Sequence, residues 1–189
     1  MVRQCGSCSL CCSLLPVRSV NKGAGERCKH QRFSSKGACC KVYSDLWRVS
    51  PECKLWNCAW LGDPTTSDLR RPDKSRYVID IMPDFIVVND PVLGRQNVQV
   101  LQIWCDPDYP DAHRDPALRA FLERRGMAAL VRYDNERAVV LMPPSMMSSG
   151  QWSERSTDLT RNTTHTFAQI VEALTGNEGK QRETNEVST

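Results

Sequence analysis

The sequence predicts an α+β protein whose irregular, cysteine-rich amino-terminal part is folded around metal. Three observations carry that expectation. Nine of the ten cysteines lie between Cys5 and Cys58. Residues 75–144 alternate short β-rich runs with one well-capped helical stretch. Residues 145–189 turn polar, rich in Ser, Thr, Asn and Glu, as partly ordered segments do. The expected organisation is one domain over 1–144, with 1–62 as the cysteine region and 75–144 as the α+β segment. A polar tail follows over 145–189.

The elements of the middle segment follow from local signals. Tyr77–Met82 and Phe85–Val88 are β-rich runs on either side of Pro83-Asp84. Val98–Trp104 is a third run, bounded by Gly94 before and Asp106-Pro107 after. A helix should start at Asp115, a good N-cap, with Pro116 at its first position. Leu118, Phe121 and Leu122 then share one face, and Gly126 follows Arg124-Arg125 as a stop. Ala129–Tyr133 and Arg137–Met142 flank Asp134-Asn135-Glu136 as a hairpin, which Pro143-Pro144 ends. In the tail, Phe167, Ile170, Val171 and Leu174 give a candidate helix over 164–174 one apolar face. Residues 180–189 read as disordered.

Several function classes are disfavoured. No stretch approaches the roughly 20 apolar residues of a membrane-spanning helix. Met1 to Gln4 is followed by cysteines and not by the apolar run of a secretory signal, so a cytoplasmic protein is expected. In that reducing compartment, clustered thiols bind metal or do redox chemistry more often than they form disulfides. No nucleotide loop, Ser/His/Asp order or paired-carboxylate motif stands out.

Charge is uneven. Residues 1–60 hold ten Lys/Arg against three Asp/Glu. A basic third invites a nucleic-acid-binding reading. The competing reading is charge compensation. Metal-binding thiols must be deprotonated, and nearby cations stabilise thiolates. Arg3, Lys29, Lys41 and Lys54 each stand within two residues of a cysteine, which favours compensation.

The chemistry is carried by Cys5-Gly6-Ser7-Cys8-Ser9-Leu10-Cys11-Cys12, then Cys28, Cys39-Cys40, Cys53 and Cys58. Two residues between cysteines allow a tight turn that brings both sulfurs to one ion, and Gly6 and Ser7 suit that turn. Cys11 and Cys12 are adjacent, so their side chains diverge. Zinc would take four thiolates per ion, and eight cysteines suffice for two ions. An iron–sulfur cluster is the second option. Cys5, Cys8 and Cys11 match a ferredoxin run, but Leu15-Pro16 stands where its Cys-Pro would be, so a fourth ligand is remote. A dithiol redox site is the third, without a thioredoxin-like setting. Buried or adventitious thiols are the bland alternative.

This arrangement resembles the YkgJ-like CxxCxxCC family, described as a zinc- or iron-chelating domain. The likeness covers roughly residues 5–60. Cys5, Cys8, Cys11 and Cys12 match its opening motif, and Cys28 matches the next cysteine. Cys40 with Val42 and Tyr43 matches a Cys-x-Ile-Tyr step, and Cys53 and Cys58 match the closing pair. The Arg71-Pro72-Asp73 turn is similar to longer members. Cys39 is extra. The tract from Tyr43 to Cys53 departs from the family's Tyr-x-x-Arg-Pro-x-x-Cys, being longer and lacking the Arg-Pro pair.

The resemblance implies metal ligation by Cys5, Cys8, Cys11, Cys12, Cys28, Cys40, Cys53 and Cys58, with zinc, iron or a 4Fe-4S cluster as cofactor. Spacing leaves open which thiols share an ion. A similar region occurs in a flagellin lysine methylase, so an accessory role to a methyltransferase or an oxidoreductase is a further reading. No glycine-rich cofactor loop is present here.

Other residues have plainer roles. His30 reads as an exposed loop histidine rather than a ligand. His113 and His165 read as solvated. Cys105 reads as a small core residue. Asp106, Asp108, Asp111 and Asp115 read as turn and cap residues. Trp47, Trp56 and Trp60 are expected to roof the metal site.

Overall fold

The structure is a computed structural model that describes residues 3–34, 37–90 and 93–158. It is an α+β fold. In the cysteine region the elements are short: α1 (Cys11–Leu14), β1 (Gln31–Ser34), β2 (Gly37–Cys40), α2 (Leu46–Val49), α3 (Pro51–Leu55), α4 (Ala59–Gly62) and α5 (Pro72–Ser75). Then come β3 (Tyr77–Asp90), β4 (Gly94–Cys105), α6 (Pro116–Arg125), β5 (Ala129–Arg132), β6 (Arg137–Met142) and β7 (Ser153–Asp158). β1 and β2 pair as an antiparallel hairpin that the expectation of an irregular region did not include.

The main sheet has the order β3-β4-β5-β6-β7. β4 and β5 are parallel, and the other neighbours are antiparallel. A parallel pair needs a crossover long enough to return the chain, and α6 supplies it. Its start is as the sequence predicts. The Asp115 carboxylate accepts from the Ala117 amide at 3.0 Å, with Pro116 next. Gly126 ends the helix at φ +57°, a left-handed conformation that costs glycine little.

Side chains alternate across the sheet with the period of two that a strand imposes. One face presents Ile79, Ile103, Val131 and Leu141 to Leu118, Phe121 and Leu122 of α6. Each such fully buried side chain stabilises the fold by roughly 1.5–3 kcal/mol. The other face presents Val78 and Trp104 to Leu14, Leu15, Ala24 and Cys58, so the cysteine region covers it at that end. Val100, Leu130 and Ala138 form a smaller cluster on the same face. Between the two clusters runs a polar network. Arg132 pairs with Asp84 at 3.0 Å, Gln102 donates to Asp84 at 3.1 Å, and the Trp104 indole donates to Gln102 at 3.1 Å.

Three expectations change. The runs around Pro83-Asp84 are one strand, β3, with its register shifted between Ile79 and Pro83. Pro83 lacks the amide that an unbroken ladder would use, and the irregularity absorbs it. The sheet also continues past Pro144 into the polar segment, where β7 forms an edge. His113 is not solvated but buried. The turn at 112–114 tucks the ring inward, where Nδ1 lies 2.7 Å from the Pro110 carbonyl oxygen and Nε2 lies 3.6 Å from Glu154. Cys105 is buried in the core, as expected. The candidate helix 164–174, His165 and residues 180–189 lie outside the described residues. Among those described, no helix is long and apolar enough to cross a membrane.

Candidate metal centre

All ten cysteines are free thiols. The first pair sits on a turn closed by the Cys8 amide bonding the Cys5 carbonyl at 2.9 Å. Gly6 makes that turn at φ +55°, and a Cβ there would stand 3.3 Å from Arg71 Nη1. Arg71 is thus held over the turn, bonded to Ser7 Oγ at 3.3 Å and paired with Asp73 at 2.6 Å. The chain then enters α1, which carries Cys11 and Cys12.

Cys58 leads into α4 and is bridged to Asp80 of β3. It packs with Cys11 in the apolar cluster that also holds Trp56, Trp60 and Trp104. Trp56 and Trp60, two of the three tryptophans expected to roof a metal site, pack against the cluster that holds Cys58. Trp56 Nε1 donates to Asp80 at 2.8 Å, and Trp60 Nε1 to the Leu69 carbonyl at 3.0 Å. Trp47 does not, being 60% exposed on α2.

The remaining ligand candidates gather around the hairpin. The Cys28 amide bonds the Cys12 carbonyl at 2.8 Å, and the Gln31 amide bonds the Cys28 carbonyl at 3.0 Å. Cys40 ends β2 opposite Gln31. Cys53 lies on α3, with its amide on the Ser50 carbonyl at 3.1 Å. Buried Gln31 binds the hairpin to the first loop, its amide nitrogen reaching Ser9 Oγ at 2.8 Å and the Ser9 carbonyl at 3.1 Å. Nothing in the sequence pattern marks that role for Gln31.

Electrostatics link these thiols as neighbours, with Cys12 within reach of Cys5, Cys11, Cys40 and Cys53. Cys11 lies within reach of Cys8 and Cys58, and Cys58 within reach of Cys5 and Cys8. Cys40 and Cys53 both lie within reach of Cys12 and Cys28, and Cys53 also of Cys40. Partial desolvation by neighbouring atoms pushes Cys5, Cys8, Cys40 and Cys53 up from the ordinary thiol range, although the Cys5 and Cys53 residues stay exposed. Burial takes Cys58 to about 11. Cys11 is held well up by its hydrogen bond to Cys12. Cys12 is brought down to about 7 because it accepts that bond and stands near Lys22. Crowded thiols that resist ionisation side by side need a cation among them to become thiolates together.

The compensating cations differ from those the spacing singles out. Arg3 turns away from the thiols, bonding Thr66 Oγ1 at 2.8 Å and the Trp60 carbonyl. Lys29, Lys41 and Lys54 are exposed. The buried cation is Lys22, only 7% exposed, bonded to the Leu15 carbonyl and within reach of Cys12 and Cys28. Arg71 lies within reach of Cys5 and Cys8. A lysine ten residues beyond Cys12 carries no local signal of burial. Cys39 accepts from exposed Arg32 at 3.0 Å and stands near Cys40. His30 approaches Cys28 only through its backbone amide, 3.4 Å from Sγ.

The donor set fits a thiophilic ion in kind: soft sulfur, grouped, with cations beside it. It is not convergent. Among the described residues, no three His, Cys, Asp or Glu side chains stand close enough together to hold a metal ion. Two open surface clefts, one by Pro107, Tyr133 and Arg137 and one by Arg70, Arg76 and Asp111, contain no cysteine. Comparison of the chain with protein-family models, curated proteins and solved structures returns no match.

Proposed function

We propose that this is a metal-binding protein that holds zinc or iron on the thiolates of Cys5, Cys8, Cys11, Cys12, Cys28, Cys40, Cys53 and Cys58, as its likeness to the CxxCxxCC family implies. One observation carries the reading. Thiols from separate segments between Cys5 and Cys58 stand within electrostatic reach of one another, while Cys105 is buried apart from them in the core. A random scatter of cysteines has no reason to gather with Lys22 and Arg71 beside it. When bound, zinc would serve as a redox-silent structural centre, whereas an iron–sulfur cluster would carry electrons.

Anaerobic purification followed by metal and acid-labile sulfide analysis tests it. Stoichiometric zinc with no visible absorbance identifies the structural centre. Iron with sulfide and absorbance near ~400 nm identifies the cluster. A protein that retains neither, and takes up neither on reconstitution, removes the proposal.

A further inference from the structure

We propose that the amphipathic segment 164–174 of this chain docks as a helix on the sheet, over a strip formed by Ile86, Val98, Val140 and Met142. The docking does not depend on whether the thiols hold metal.

The two faces of the sheet are covered unequally. α6 lies on one face, against Ile79, Ile103, Val131 and Leu141. On the other, the cysteine region covers Val78 and Trp104 at one end. Further along that second face, Val100, Ala128, Leu130 and Ala138 form an apolar cluster whose partly buried neighbours are Ile86, Val140 and Met142. All three neighbours are strand residues, so among the described residues no helix contributes a side chain to this cluster. Val98 is paired with Ile86, shares its face and is also only partly buried. An apolar sheet face is stable when a second layer packs over it.

The segment 164–174, outside the described residues, has the pattern of such a layer. Phe167, Ile170, Val171 and Leu174 recur at helical spacing on one side, and His165, Gln169 and Glu172 fall opposite. Its length fits the strip. Eleven helical residues span about 16 Å. From Ala138 to Met142 the strand advances about 14 Å.

The tether fits as well. β7 ends at Asp158, opposite Arg137 and next to the Thr157–Ala138 pair. Residues 159–163 reach about 17 Å when extended, enough to turn back over Ala138. So short a connection keeps the segment beside the strip at a roughly millimolar effective concentration. A second copy of the chain would have to arrive from dilute solution. That advantage selects the tethered segment as the occupant.

The test is photo-crosslinking in the full chain with Phe167→p-benzoylphenylalanine, mapped by peptide mass spectrometry. The expected product is an intramolecular link to Met142 or another residue of the strip. A link to a second chain, or to a different surface of the same chain, overturns the proposal. So does a yield no greater than that of Gln169→p-benzoylphenylalanine, whose probe would face away. Amide hydrogen exchange is the second measurement, since it needs no probe at the docked face. An isolated helix of this length is marginal in water, so its protection must come from docking. In Ile170→Asp/Leu174→Asp the amides of 167–174 are expected to exchange about 10-fold faster than in wild type. Equal rates in the two proteins overturn the proposal.

Discussion

The Trp56 indole donates to the Asp80 carboxylate at 2.8 Å, and this bond fastens the cysteine region to the sheet. Asp80 is buried, accepts the Met82 amide at 3.0 Å as well, and is the bridge partner of Cys58. Asp80→Ala leaves two donors without their acceptor. The expected loss is about 1.5–3 kcal/mol, the range for hydrogen bonds to a charged group, read as a lower urea midpoint. An unchanged midpoint would show that the docking does not depend on this carboxylate.

Gln31 should matter to metal affinity without being a ligand. Its side chain holds the hairpin against Ser9. Gln31→Ala is expected to weaken zinc binding about 10–100-fold, the scale for outer-shell residues. Competition with a chromophoric chelator measures it, and wild-type affinity in the variant would refute the role.

Legibility in the sequence differed by element, for physical reasons. α6 was legible because Asp115, Pro116 and Gly126 act locally. The hairpin at 134–136 was legible because turn residues separate two apolar runs. β7 was not. Ser153–Asp158 is an edge strand that needs no apolar face, and Glu154 pairs with Arg114 at 2.9 Å and with Arg119. The clustering of thiols between Cys5 and Cys58 is legible from spacing, but which of them become neighbours is not, since the Cys12–Cys28 contact is a backbone bond across a loop. Lys22 and His113 were missed because their burial comes from packing with distant residues.

Lys22 makes a chemical prediction. In metal-free protein, Cys12 at about 7 is expected to be the most readily ionised of the neighbouring thiols. It should therefore react fastest with iodoacetamide at neutral pH. Lys22→Met removes the nearby cation and keeps the apolar stem, so alkylation of Cys12 should slow. Peptide mass spectrometry reads the site. Equal rates in both proteins would contradict the assignment.

Alkaline pH should destabilise the metal-free fold. Burial raises the Cys58 thiol from 9.0 to about 11, so between those values the folded state holds a proton that the unfolded state has released. Its stabilising contribution is complete below about pH 9 and is lost as pH rises toward about 11. Cys105, raised to about 12, acts in the same direction. Cys58→Ala should flatten the decline without abolishing it. A decline of the same slope in that variant would contradict the account.

The most direct test of metal ligation is alkylation of the native, metal-loaded protein before and after chelation, mapped by mass spectrometry. The account predicts that Cys39 reacts in the loaded protein, that Cys105 stays buried throughout, and that the other eight become reactive only when the metal is removed. Exposed Cys5 and Cys53 are the decisive positions, since burial alone does not protect them. If both react as fast with metal present as after chelation, the central claim is contradicted.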